Sequence, residues 1–271
     1  MSHLRFRYLR SSLVESVQSL LGLRDPLMPP RQLIDGVGGG DFKAVGQEFF
    51  RYFIEIGGLK PTGCVLDVGC GCGRMAVPLI HYLSEQGEYW GFDIVGSAID
   101  WCQKKIAAND KRFHFQLADV YNKSYHPQGR HFASAYSFPY RDGFFDLAFL
   151  TSVFTHMLAP DMEHYLAELS RVLKSGGRCL VSFFLLNSES REHIRQGSSS
   201  ISFKHEFPYG ATSNLRSPEA AVAFDEIFIR TCFQGQHLNV VEPIRYGSWC
   251  GRTRFLSYQD IIVAAKASTA A

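Results

Sequence analysis

The stretch "CVLDVGCGCGRMAVPL", residues 64–79, sets Gly69, Gly71 and Gly73 around Cys70 and Cys72, directly behind the apolar run 64–68. A short apolar run that stops in glycines reads as a buried strand entering a tight turn. The glycines let the chain turn sharply and bring backbone N–H groups within reach of a ligand, at the start of a helix whose N-terminus favours negative charge. Three ligand chemistries compete for such a loop. A zinc site is disfavoured because one residue separates Cys70 from Cys72, and no second Cys/His pair follows at matching spacing. A phosphate loop is excluded, since neither "GKS" nor "GKT" follows the glycines. A nicotinamide dinucleotide loop needs G-x-G-x-x-G, and counted from Gly69 the third glycine falls at Arg74. Counted from Gly71, the looser form ending in alanine is met by Gly73 and Ala76, so that reading is disfavoured rather than removed. G-x-G-x-G describes the loop better, and its cysteines then read as small residues in a turn.

Outward from this loop, short apolar runs alternate with helical periodicity, the pattern of a parallel sheet with helices on both faces. Strands are expected at 64–70, 89–94, 112–119, 144–154 and 178–186. Helices are expected from the loop to Gly87, with Met75, Leu79, Ile80 and Leu83 on one face; behind a Ser97/Asp100 capping box; and over 162–177. Residues 120–143 form a loop too long for an ordinary connection and aromatic throughout, which suits a segment covering a site. Residues 187–217 are polar and turn-rich, and 218–234 read as a helix with Pro218 in its first turn. The runs "LNVVEPIRY" and "DIIVAAK" close the chain as a hairpin, giving the sheet an antiparallel edge. Residues 1–60 read as an N-terminal helical cap broken by "DPLMPP" and "DGVGGGD". Residues 61–271 read as one α/β domain with substrate-side inserts at 120–143 and 187–234.

Composition narrows the function. A chain of 271 residues with 46% hydrophobic and 20% charged side chains is an ordinary globular protein, and a formal charge of +2 does not point to nucleic acid. A small-molecule substrate is expected, in a monomer or homodimer. No apolar run approaches the roughly 20 residues of a membrane span; the longest, "LVSFFLL" at 180–186, reads as a buried strand. Seven scattered cysteines without a secretory signal suggest reduced thiols in a cytoplasmic protein. The basic N-terminal segment repeats Leu9, Leu13, Val17, Leu20 and Leu21 at helical spacing. It is expected to pack on the main domain, with a transit peptide or a membrane-surface helix as alternatives.

The ordered set "VLDVGCGCGR", "YWGFDI", "FQLADV", "FFDLAFLTSVFTHM" and "ELSRVLKSGGRCLVSFF" resembles the class I S-adenosylmethionine-dependent methyltransferases, in particular their bacterial small-molecule branch. The resemblance covers about 60–186 and the closing hairpin. It implies a Rossmann-like, seven-stranded, mostly parallel sheet with an antiparallel last strand. It also implies S-adenosyl-L-methionine as cofactor, S-adenosyl-L-homocysteine as product, and a cofactor site across the ends of the first, second and fourth strands.

Each part of that cofactor wants a different partner. Asp67 and the backbone of Gly69, Cys70, Gly71 and Gly73 suit its ammonium and carboxylate, and Arg74 could pair with the carboxylate. Asp93, twenty positions after Gly73, suits both ribose hydroxyls, with Ile94 beside it. Asp119 could accept from the adenine amino group, flanked by Ala118 and Val120. Thr151, Ser152, Val153 and Phe154 should end the fourth strand near the transferred methyl, with His156 as a candidate general base against a pocket-lining or helix-capping role. Phe42, Phe49, Phe50, Tyr121, Tyr136, Trp249 and Arg252 are candidate acceptor contacts, and His126, His131 and His205 thinner ones. No acidic cluster follows the fourth strand, so no metal is expected. The expected reaction is methyl transfer to oxygen, less so to nitrogen or carbon, of a partly apolar metabolite, natural-product or sugar acceptor. The rivals are a nicotinamide oxidoreductase and a non-catalytic binding protein.

Overall fold

The computed structural model describes residues 21–268. The amphipathic segment read at the N-terminus lies almost wholly outside them. Seven strands form the main sheet, in the order β10 (Leu238–Val240), β11 (Asp260–Lys266), β5 (Leu173–Phe183), β4 (Phe145–Leu150), β1 (Cys64–Val68), β2 (Glu88–Asp93), β3 (Phe113–Leu117). β11 runs antiparallel to both neighbours, while β1 to β5 are mutually parallel. The expected α/β architecture is therefore the observed one. Because β2 leaves β1 on one side and β4 lies on the other, the chain reverses its winding at the carboxyl ends of β1 and β4. A crevice belongs there.

Apolar packing covers both sheet faces. Leu66, Val68, Ala148, Leu150 and Val181 point into one core with the helix Ala159–Val172. Val65, Leu147, Phe149 and Leu180 point into the other. Neighbouring residues alternate between the two cores, as a pleated strand requires. The helix Phe42–Glu55 belongs to the second core, with Phe53 stacked on Phe149 at 3.9 Å between ring centres. Its start is fixed by Asp41, whose Oδ1 accepts from Ala44 N–H at 2.9 Å. The N-terminal cap thus shares the core of the main fold instead of standing beside it.

Several elements differ from the sequence reading. Behind the glycine loop only Ala76–Leu79 is helical, and the chain continues in turns although Met75, Leu79 and Leu83 are buried as expected. Pro78 has no N–H to give the Arg74 carbonyl, which a longer helix would need. So short a helix contributes little dipole to the loop. The Ser97/Asp100 capping box is absent; Gly96–Cys102 begins after Val95, whose N–H donates to Asp93 Oδ1 at 2.8 Å.

The helix expected at 218–234 divides into a 3₁₀ turn at Pro218–Ala220, a strand β9 (Val222–Asp225) and a helix Glu226–Gly235. Val222, Ala223 and Phe224 are all buried between β6 (Leu185–Leu186) and β8 (Gly210–Thr212), so pairing on both sides outweighs the helical spacing. With β7 (His205–Phe207) these strands make a second, four-stranded sheet, of which β7 and β8 come from the stretch read as turns.

The second sheet is tied to the main one through Asp260. This fully buried carboxylate accepts from Leu185 N–H, Gly247 N–H and Trp249 Nε1, each at 2.7 Å, and from Arg252 Nη1 at 3.1 Å. Arg252 also pairs with Glu189 at 2.7 Å. Trp249 is 0% and Arg252 5% exposed, and neither lines the cleft at the carboxyl ends of the strands, so their expected acceptor contact is corrected to a structural one. Their polar atoms are consumed in pinning the last strand to the insert. Arg252→Met leaves the Asp260 charge buried without its cation. It is expected to cost about 3–5 kcal/mol, read as a lower urea midpoint at unchanged m-value.

Candidate functional site

The carboxyl ends of β1, β2 and β4 frame a cleft with two lobes. One lobe, of about 260 Å³, is walled by Asp67, Gly69–Cys72, Arg74, Thr151, Ser152, Glu48, Phe49 and Gln259. The other, of about 360 Å³, is walled by Asp93, Ile94, Val95, Val120, Tyr121, Phe132, His156 and Tyr165. Val37, Gly38, Gly69, Gly71, Thr151 and Ser152 line both lobes and so mark their junction.

The glycine loop owes its shape to two close approaches. Gly69 has φ +79°, and a Cβ there would lie 2.5 Å from Val153 Cγ2. Gly73, also at φ +79°, would place a Cβ 2.8 Å from Ile106 Cδ1 and 3.1 Å from Cys102 Sγ. Only glycine fits both backbone and space. Gly73 lines neither lobe, so its role is to let the loop pack on the helix after β2, which carries Cys102 and Ile106. The loop is held to β2 by Gly69 and Cys70 N–H groups donating to the Phe92 carbonyl at 2.9 and 3.0 Å.

Two carboxylates face the cleft with capacity to spare. Asp67 Oδ2 accepts from Tyr89 Oη at 2.5 Å, while Oδ1 is buried with no hydrogen-bond partner. Burial pushes this carboxyl up to about 8, against the lowering effect of the Tyr89 hydrogen bond. An orphaned buried oxygen asks for a donor, and an ammonium group would satisfy it. Asp93 receives one backbone N–H on each oxygen, from Val95 at 2.8 Å and Gly71 at 2.7 Å. Burial raises its carboxyl while these N–H groups lower it. Each oxygen keeps a lone pair for a hydroxyl, the arrangement a vicinal diol needs.

At the end of β4, Ser152 has φ +60° and its N–H donates to Ser182 Oγ at 2.8 Å. His156, in a short 3₁₀ turn, lies 2.9 Å through Nδ1 from the Glu219 carbonyl. A carbonyl only accepts, so Nδ1 carries the proton and Nε2 is left as an acceptor, the form a general base requires.

Other sequence candidates are placed differently. Asp119 takes Arg130 Nε at 2.5 Å and Arg130 N–H at 3.0 Å; Arg130 holds its carboxyl below the usual range, and it lines neither lobe. Its expected adenine contact is thus corrected to a loop tie. Ala118 and Phe154 are both 0% exposed core residues, Phe154 packing on Phe183, and Phe42 is buried under Arg74. Phe49, two turns along the same helix, reaches the cleft instead. The Arg74 guanidinium donates to the Gly39 carbonyl, and burial lowers its pKa. Tyr121 is 42% exposed on the rim. The sequence reading missed Val37, Glu48, Met157, Asp161, Tyr165, Glu219 and Gln259; the "GVGGG" run near Val37 was the one available signal. Among the described residues no three His, Cys, Asp or Glu side chains gather as a metal site would require, and no helix is long and apolar enough to cross a membrane.

Residues 66–181 match the family described as a methyltransferase domain. Over 154 residues the chain is 31% identical to the ubiquinone/menaquinone biosynthesis C-methyltransferase UbiE of Shewanella baltica, covering 57% of this chain and 55% of that protein. Over 129 residues it is 30% identical to 27-O-demethylrifamycin SV methyltransferase of Amycolatopsis mediterranei, covering 47% and 41%. The chain thus spans about half the length of the curated relatives it matches. The crystal structure of PH0226 from Pyrococcus horikoshii superposes with a TM-score of 0.57 at 15% identity, covering 85% of this chain and 93% of that one, a likeness of fold.

The state of Asp67 predicts a pH-dependent stability. Its folded pKa lies above the ordinary carboxyl value of 3.8, so the folded protein holds this proton more tightly than the unfolded chain. The associated stability is complete at low pH, falls as pH rises above about 4, and is gone above about 8. Asp67→Asn removes the titration. Ligand-free, the variant is expected to gain about 1–3 kcal/mol relative to wild type between acid and alkaline pH. Calorimetric melting at the two extremes measures the change.

Proposed function

We propose, from the match of residues 66–181 to a methyltransferase domain, that this protein uses S-adenosylmethionine to methylate an oxygen of a small, partly apolar acceptor. When bound, S-adenosylmethionine supplies an electrophilic methyl group on a sulfonium. Two unmet hydrogen-bonding demands on one cleft carry the reading. Asp67 Oδ1 lacks a donor, and Asp93 keeps an acceptor site on each oxygen. A ligand with an ammonium at one end and a vicinal diol in the middle satisfies both, and the backbone of Gly69–Gly71 lies between them. Ile94, Val95, Val120 and Phe132 supply apolar walls beyond Asp93 for a flat base.

The protein's own contribution is positioning and proton removal. His156 lines the wider lobe with Nε2 as its acceptor nitrogen, which suits removal of a hydroxyl proton at neutral pH. That favours oxygen as the methylated atom. Carbon methylation is the second reading, supported by the C-methyltransferase named among the relatives. Aromatic side chains on the rim, including Tyr121, Tyr125 and Phe132, favour an acceptor with apolar surface.

Titration calorimetry with S-adenosylhomocysteine is expected to show one site, with no comparable binding of NAD. Asp93→Ala should weaken it at least tenfold, about 1.4 kcal/mol. Absence of binding, or an unchanged constant in Asp93→Ala, would defeat the proposal against both the oxidoreductase and other readings. A binding protein without turnover would release no S-adenosylhomocysteine from S-adenosylmethionine with any of a panel of phenols and quinols. With an acceptor from that panel, His156→Ala should lower turnover by about 10²–10⁴-fold. A full rate across pH ~6 to ~9 would remove His156 from the chemistry.

A further inference from the structure

Gln259, one residue before β11, lines the smaller lobe beside Thr151 and Ser152. Its Oε1 lies 2.6 Å from Ser182 Oγ and 2.9 Å from Ser152 Oγ. Ser182 is fully buried, and its Oγ already accepts the Ser152 N–H at 2.8 Å, which directs its own proton to Gln259 Oε1. The two serines therefore fix which end of the amide faces inward. Gln259 Nε2 makes no hydrogen bond among the described residues, and it is not one of the buried unpartnered atoms, so it opens on the cleft. Two N–H donors are thus held at the end of β4, in a lobe that also presents Phe49 and the half-exposed Tyr258.

We propose that Gln259 binds the methyl acceptor, its amide N–H groups holding an sp² oxygen carried by an aromatic or otherwise flat apolar body, as in an aryl ketone, a quinone or a phenolate. This rests on the reading that the cleft takes S-adenosylmethionine and a small acceptor. An oriented donor pair discriminates strongly against an analogue of the same shape that lacks the oxygen, because the donors are then left unpaired. An unoriented surface glutamine would not. The serines are positioning residues for the amide.

The test uses the full chain saturated with S-adenosylhomocysteine and two probes with the same heavy-atom skeleton, 2-acetylnaphthalene and 2-isopropylnaphthalene, with binding followed by ligand-observed NMR. Wild type is expected to hold the ketone about tenfold tighter than the alkyl compound. Gln259→Leu should reduce that preference below about twofold. Gln259→Glu keeps the oxygen that both serines bond but removes the donors, and should lose the preference equally. Both variants should keep the S-adenosylhomocysteine constant within about threefold. A preference that survives either variant, or none in wild type, overturns the proposal. So does a large loss of S-adenosylhomocysteine affinity with the ketone preference intact, which would give the amide to the cofactor. Failure of wild type to bind S-adenosylhomocysteine defeats the underlying methyltransferase reading, whereas normal binding without a ketone preference defeats this assignment alone.

Discussion

The contact between the turn after β1 and the end of β2 governs the rest of the cleft. Gly69 and Cys70 donate together to the Phe92 carbonyl, and Gly71 donates to Asp93 one residue later. These bonds hold the chain in a left-handed turn flush against its neighbour, with Val153 closing from the β4 side where any side chain on Gly69 would stand. The turn therefore fixes the spacing of Asp67 and Asp93, which come from different strands. It also brings β4's exit, with Ser152 and His156, to the edge of the same space. A looser turn would set the buried Asp67 and the half-buried Asp93 at a different spacing.

A second constraint works from the other end of the chain. Asp260 gathers Leu185, Gly247, Trp249 and Arg252 around one buried carboxylate, joining the antiparallel last strand to the insert that follows β5. Burial pushes that carboxyl up to about 6 while its donors pull it down, so its ionised state depends on the whole cluster. Because Gln259 immediately precedes it, the cluster sets where the cleft's amide stands. The 3₁₀ turn that carries the Glu219 carbonyl to His156 comes from the same insert. Structural and chemical roles are thus divided between adjacent residues, and a single buried group serves the site without touching it.

What the sequence determined by itself was the part written in local spacing. The run 64–68 with its glycines, Asp93 at the end of the next strand and the alternation of short apolar runs with helices identify a doubly wound sheet and the part of the cleft that the glycine loop and Asp93 line. Each of those signals is read within a short run of the chain, and its period follows from strand or helix geometry. Tertiary structure decided the rest. It made a strand of Val222–Asp225, because pairing on both sides outweighed a helical pattern. It buried Trp249 and Arg252, whose partners Asp260 and Glu189 stand far along the chain or on another element. It spent Asp119 on Arg130, and brought Val37, Glu48 and Gln259 to a cleft whose glycine-loop stretch lies sixteen or more residues away in the chain. A side chain's type and local spacing limit what it can bond. Which partner it meets depends on long-range strand order and on which polar groups burial leaves unpaired, and neither is encoded in a short window of sequence.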